Sequence, residues 1–139
     1  MDTESLNEYL QGIYMGIESF KGFENKCNVE DSLKALVSET KSMYHNHAAI
    51  ISDRIMDLGG DPPKSLSMAG KMAEKMSEVK NIFVNTEEEI RDKAIESMKM
   101  GIDLEEKFLQ NHPDIDGESK TLIQGTIKED KDQLQKFMN

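Results

Sequence analysis

The chain has 139 residues and a formal net charge of −10, with 27 acidic residues against 17 basic ones. That length suits one domain whose core needs no covalent staple. The acidic balance excludes nucleic acid as the expected partner, since phosphate-backbone affinity comes from Lys and Arg. It also excludes a basic helix lying on a membrane.

The opening residues MDTESLNEYL are acidic and polar, with neither the basic nor the apolar region of a secretory leader, so a cytoplasmic location is expected. No apolar run reaches bilayer length, and no membrane association is expected. The first helix is predicted from about Thr3 or Ser5 to about Glu24. Its apolar residues Leu6, Leu10, Ile13, Ile17 and Phe20 alternate steps of four and three, the seam of a helix bundle. Cys27 follows; as the single cysteine it excludes an internal disulfide or a multi-cysteine zinc site, and an inert surface or half-buried thiol is expected.

Asn28 is the expected N-cap of helix two, with Glu30 and Asp31 in the first turn. That helix should span residues 29–58, with Leu33, Val37, Thr40, Tyr44, His47, Ile51 and Leu58 in its seam. Gly59-Gly60 supply a left-handed stop, and Pro62-Pro63 forbid continuation. Residues 59–85 form a connection too long for a tight turn, able to return along the bundle and start helix three parallel to helix two. Within it Met68, Met72, Met76, Val79 and Phe83 make one helical stripe, best explained as adaptable packing against the bundle side.

Thr86 and Glu89 have capping-box spacing and open helix three, residues 86–110. The cluster from His112 to Gly117 is a turn. Helix four, residues 118–138, carries Ile123, Ile127, Asp130, Leu134 and Phe137. The expected fold is therefore all-α: one up-down-down-up four-helix bundle over 1–139, with a long, partly helical crossover. A faint repeat agrees with it. Met15-Gly16-Ile17-Glu18 recurs as Met100-Gly101-Ile102-Asp103, which suggests a close helix approach at both glycines.

His47-Ala48, Arg54-Ile55, Leu58, Gly60 and Pro62 resemble the end of the second helix in bacterioferritins. Leu6-Asn7-Glu8, Leu10-Gln11, Ile17-Glu18 and Met76-Ser77-Glu78-Val79-Lys80 look like motifs of a bacterial family of uncharacterised ferritin-like proteins. The chain is thus similar to the ferritin-like superfamily of bacterioferritins and rubrerythrins. The resemblance implies a site fed by a Glu from helices one and three and a Glu-x-x-His from each of helices two and four. Carried over, those positions fall on Ile13, Met98, Tyr44 with His47, and Ile127 with Asp130, Lys131 being the alternative if the register slips.

Ile13, Met98 and Ile127 offer no oxygen ligand, so a di-iron centre lacks its donors. No catalytic residue and no cofactor is expected. His47 and Asp130 remain as the weak candidates for a metal, and they are expected instead to join Tyr44 in a hydrogen-bonded core cluster. His45 should face solvent, Asp114-x-Asp116-Gly117 should cap a helix rather than bind calcium, and Glu105-Glu106 read as part of an acidic face. The expected role is a structural or protein-interaction module, with a protein or a second copy of the chain as partner. The alternative is a metal-binding or iron-handling protein with a residual site at His47 and Asp130.

Overall fold

The structure is a computed structural model in which residues 3–27, 32–66 and 86–139 are described. The Asn28 cap with Glu30 and Asp31, and the stripe from Met68 to Phe83, lie outside the described residues. Among those residues the chain forms helices α1 (Glu4–Lys26), α2 (Ser32–Asp57), α3 (Glu87–Asn111) and α4 (Gly117–Met138), and no strand. None of these helices is long and apolar enough to cross a membrane.

The seams become the core. Leu6, Leu10, Ile13, Ile17 and Phe20 of α1 are buried, and Tyr9 and Phe23 extend the same stripe. On α2, Leu33, Val37, Thr40, Tyr44, His47 and Ile51 are buried, but Leu58 is half-buried and Ile55 closes the stripe in its place. The helix ends at Asp57, and Leu58 just beyond it still packs, half-buried, against the core. All five expected seam residues of α4 are buried.

Helix ends follow from local chemistry. Gly59 has φ +86°, and Gly60 N–H donates to Ile55 O while Gly59 N–H donates to Met56 O, both at 2.9 Å. This paired pattern satisfies two carbonyls that the helix end would otherwise orphan. At α3 the Thr86 hydroxyl accepts the Glu89 N–H at 3.1 Å, as the capping-box spacing requires. At α4 Asp116 accepts the Ser119 N–H at 3.0 Å.

Pairwise contacts set the directions. Glu24, near the end of α1, bonds Lys41 and Ser38 near the start of α2, so these helices are antiparallel. Tyr9 near the start of α1 meets Glu105 and Phe108 near the end of α3. Arg54 at the end of α2 holds Asp116 and Ser119 at the start of α4, while Gln133 reaches back to Thr40. Helices α2 and α3 therefore both run opposite to α1 and α4, the up-down-down-up order. Gly16 lies under the Tyr44 ring, where a β-carbon would sit 3.3 Å from the ring edge. Gly101 departs from the expected close approach: a β-carbon there meets nothing within 4 Å, because the position borders open space.

Candidate functional site

Halfway down the bundle each helix turns a polar side chain inward. His47 of α2 is 1% exposed and Asp130 of α4 is 2% exposed. His47 Nδ1 lies 3.4 Å from Asp130 Oδ1, while its Nε2 lies 3.0 Å from Oε2 of the exposed Glu129. The first approach is not aligned as a hydrogen bond, and Asp130 Oδ1 accepts none from any described donor. Tyr44 stands one turn away, its ring edge-on to His47 at 6.4 Å and to Phe20 at 5.5 Å. Tyr44, His47 and Asp130 therefore lie near one another across α2 and α4, but not as the expected hydrogen-bonded cluster: Tyr44 makes ring contacts and the His47–Asp130 approach is unaligned.

The remaining partners were not singled out in the sequence. Tyr9 Oη of α1 donates to Oε2 of Glu105 on α3 at 2.7 Å. The same hydroxyl lies 2.6 Å from Thr126 Oγ1 of α4, which is itself 3.3 Å from Glu105 Oε2. Asp130 shares a hydrogen bond with Glu105. Glu105 therefore corrects the reading of Glu105-Glu106 as an outward acidic face: Glu105 turns in, and Glu106 pairs with Lys131 at 3.1 Å. Lys131 therefore leaves Asp130 as the helix-four residue of the cluster. The signal was present, because Glu105 continues the series Met98, Ile102 with a step of three, as Tyr9 continues Leu6.

Burial, then the Glu105 hydrogen bond and charge, then the Glu129 charge push the Asp130 carboxyl up to about 10. Asp130 thus holds its proton at neutral pH and donates it toward Glu105. Burial also raises both tyrosines, Tyr9 with a contribution from Glu105 and Tyr44 with one from Asp130, so both hydroxyls stay protonated. Desolvation thus favours a neutral Asp130 over a second buried charge in this network.

This cluster floors a cleft of about 420 Å³ between α1 and α3. Gly12 and Gly16 on α1 and Ser97 and Gly101 on α3 line it; open space that larger side chains would fill lies beside Gly12 and Gly101, while Gly16 sits against the Tyr44 ring. Ile13, Phe23, Leu104 and Phe108 make the lining largely apolar, while Met100 and Leu104 stand exposed at its rim. Glu8, Lys93 and Glu96 border it, with Lys93 paired to Glu96 at 3.3 Å.

The positions implied by the ferritin-like resemblance for the first, third and fourth helices, Ile13, Met98 and Ile127, are 8%, 0% and 7% exposed and packed in the core. Among the described residues no group of three or more His, Cys, Asp or Glu side chains converges to hold a metal ion. His45 is exposed. Asp116 is the α4 cap, clamped by Arg54 at 2.6 Å, and Asp114 stands outside it. Cys27, at the end of α1, is buried as part of the hydrophobic core rather than at the surface.

A protein-family model described as Domain of unknown function (DUF2383) matches residues 1–111. No curated protein and no solved structure matches the chain. The matched span ends with α3, so Asp130 of the floor comes from beyond it, as do its neighbours Thr126 and Glu129.

Proposed function

The chain belongs to that family, and from the residues of the cleft we propose a binding module on a ferritin-like bundle, working through the α1/α3 cleft and not through a dinuclear metal centre. The up-down-down-up order supports the ferritin-like reading. The observation that carries the functional half is the donor set. A carboxylate-bridged metal pair needs several hard oxygen ligands, yet Ile13, Met98 and Ile127 are buried apolar side chains. The inward carboxyls are already committed, Glu105 to Tyr9 and Thr126 and Asp130 to Glu105. These residues do not fit the group, and no redox step is derived through one.

A second reading, a single divalent metal on His47 and Asp130, draws on the 3.4 Å approach of Nδ1 to an oxygen that accepts no hydrogen bond. Elemental analysis separates the two. Protein purified without chelators and exposed to iron, manganese or zinc should carry well under one metal per chain, unchanged in His47→Ala. Stoichiometric metal that is lost in both His47→Ala and Asp130→Ala overturns the binding-module reading in favour of the second.

A further inference from the structure

The cleft joins two kinds of surface that one ligand chemistry would satisfy together. Its walls are apolar, and its floor is acidic and buried. Four carboxyl side chains line it, Glu8, Glu96, Glu105 and Asp130, beside the His47 ring and a single lysine, Lys93, which Glu96 already engages. Asp130 is 2% exposed, and its Oδ1 accepts no hydrogen bond from a described donor. A buried carboxyl oxygen without a donor is a costly feature for a protein core to keep. A ligand able to donate several hydrogen bonds to the floor removes that cost.

We propose that the α1/α3 cleft binds a small amphiphile with a primary ammonium head and an apolar body, the head seated between Glu105 and Asp130 and the body between Gly12, Gly16 and Gly101. This inference rests on the binding-module reading above and names the ligand class for the same cleft. An ammonium supplies three donors and a positive charge, so it can serve both carboxyls at once. The volume of about 420 Å³ lies within the usual range for small-molecule sites. The glycines matter because a β-carbon at Gly12 or Gly101 meets nothing within 4 Å, leaving that space to a ligand.

Seating a cation beside Asp130 displaces the proton it shares with Glu105. The groups facing Asp130 are Tyr9 of α1, Tyr44 and His47 of α2, Glu105 of α3, and Thr126 and Glu129 of α4. Of these, Glu105 and Glu129 hold the proton on Asp130, and an ammonium offsets their charge. Amine binding should therefore release a proton, whereas binding of a neutral amphiphile should release none.

The test uses the full chain and displacement of the neutral fluorescent probe N-phenylnaphthylamine by octylamine, octanol and octanoate, equal in length and different in head. Octylamine should compete about tenfold or more better than octanol, the scale of one charge-assisted hydrogen bond, and octanoate should be weakest. Calorimetry in buffers of differing ionisation enthalpy should show proton release for octylamine alone. Asp130→Asn, which keeps the shape of the protonated side chain, should abolish the proton release and narrow octylamine's lead over octanol, and Asp130→Asn combined with Glu105→Gln should bring the two to parity. Gly101→Phe and Gly12→Leu, both placed in open space, should abolish probe binding while circular dichroism stays helical. Equal competition by all three heads, sensitive to Gly101→Phe, overturns the ammonium head and leaves the cleft as a binding surface. Failure of the probe to bind, or binding indifferent to both glycine variants, overturns the cleft reading as well.

Discussion

Asp130→Asn should make the protein more stable at neutral pH, although it alters a buried side chain of the core. The folded-state carboxyl is raised from 3.8 to about 10, burial being the largest cause. A raised acid means that the folded protein holds a proton the unfolded chain has lost, so stability falls as pH rises between those values. The slope for one such group is about 1.4 kcal/mol per pH unit. Integrated from the unfolded value to pH 7, it gives a ceiling of about 4 kcal/mol, close to the about 3–5 kcal/mol that an uncompensated buried charge costs in mutant proteins. Asn mimics the protonated acid, can donate to Glu105, and has no proton to lose. Urea denaturation of wild type and variant at pH 4, 5.5, 7 and 8.5 should show equal stability at the lowest pH. By pH 7 the variant should lead by about 3 kcal/mol, a large part of a total of about 5–15 kcal/mol. A variant less stable at pH 7, or offset by a constant amount across the series, would refute the reasoning.

Other outcomes follow from the same geometry. Gly60→Ala places a β-carbon 2.9 Å from Ile55 Cγ2 and from Thr3 Cβ and Cγ2; thermal unfolding should register a loss of about 1–3 kcal/mol. Tyr9→Phe removes the hydroxyl that donates to Glu105 at 2.7 Å and should cost about 1–2 kcal/mol in urea midpoints. Asp116 shows the opposite sign from Asp130. Burial would raise it, but the Ser119 hydrogen bonds and the Arg54 guanidinium outweigh that and lower it from 3.8 to about 2. Its stabilisation is present above pH 3.8 and lost as pH falls toward 2. Asp116→Asn should cost about 2 kcal/mol at pH 7, with no difference from wild type near pH 2 in an acid titration followed by circular dichroism.

The four described helices, their seams and their stops were legible because they arise from local rules. Apolar residues at steps of three and four mark a buried stripe, Gly59-Gly60 can end a helix where other residues strain, and Thr86 with Glu89 caps by spacing alone. The helix order was legible too, since a long connection after α2 permits a return along the bundle. Even the absence of carboxylates at Ile13, Met98 and Ile127 could be read directly. What the tertiary structure alone decided was the company each polar residue keeps. Glu105 looks outward beside Glu106 on paper, yet the rotation of α3 against α1 and α4 turns it toward Tyr9, Thr126 and Asp130. Gly16 and Gly101 are alike in the repeat, but one lies under the Tyr44 ring and the other borders open space. Periodicity tells which face of a helix is buried. Whether that face meets a side chain or a cleft depends on the separation of neighbouring helices, which is set by all the packed residues together.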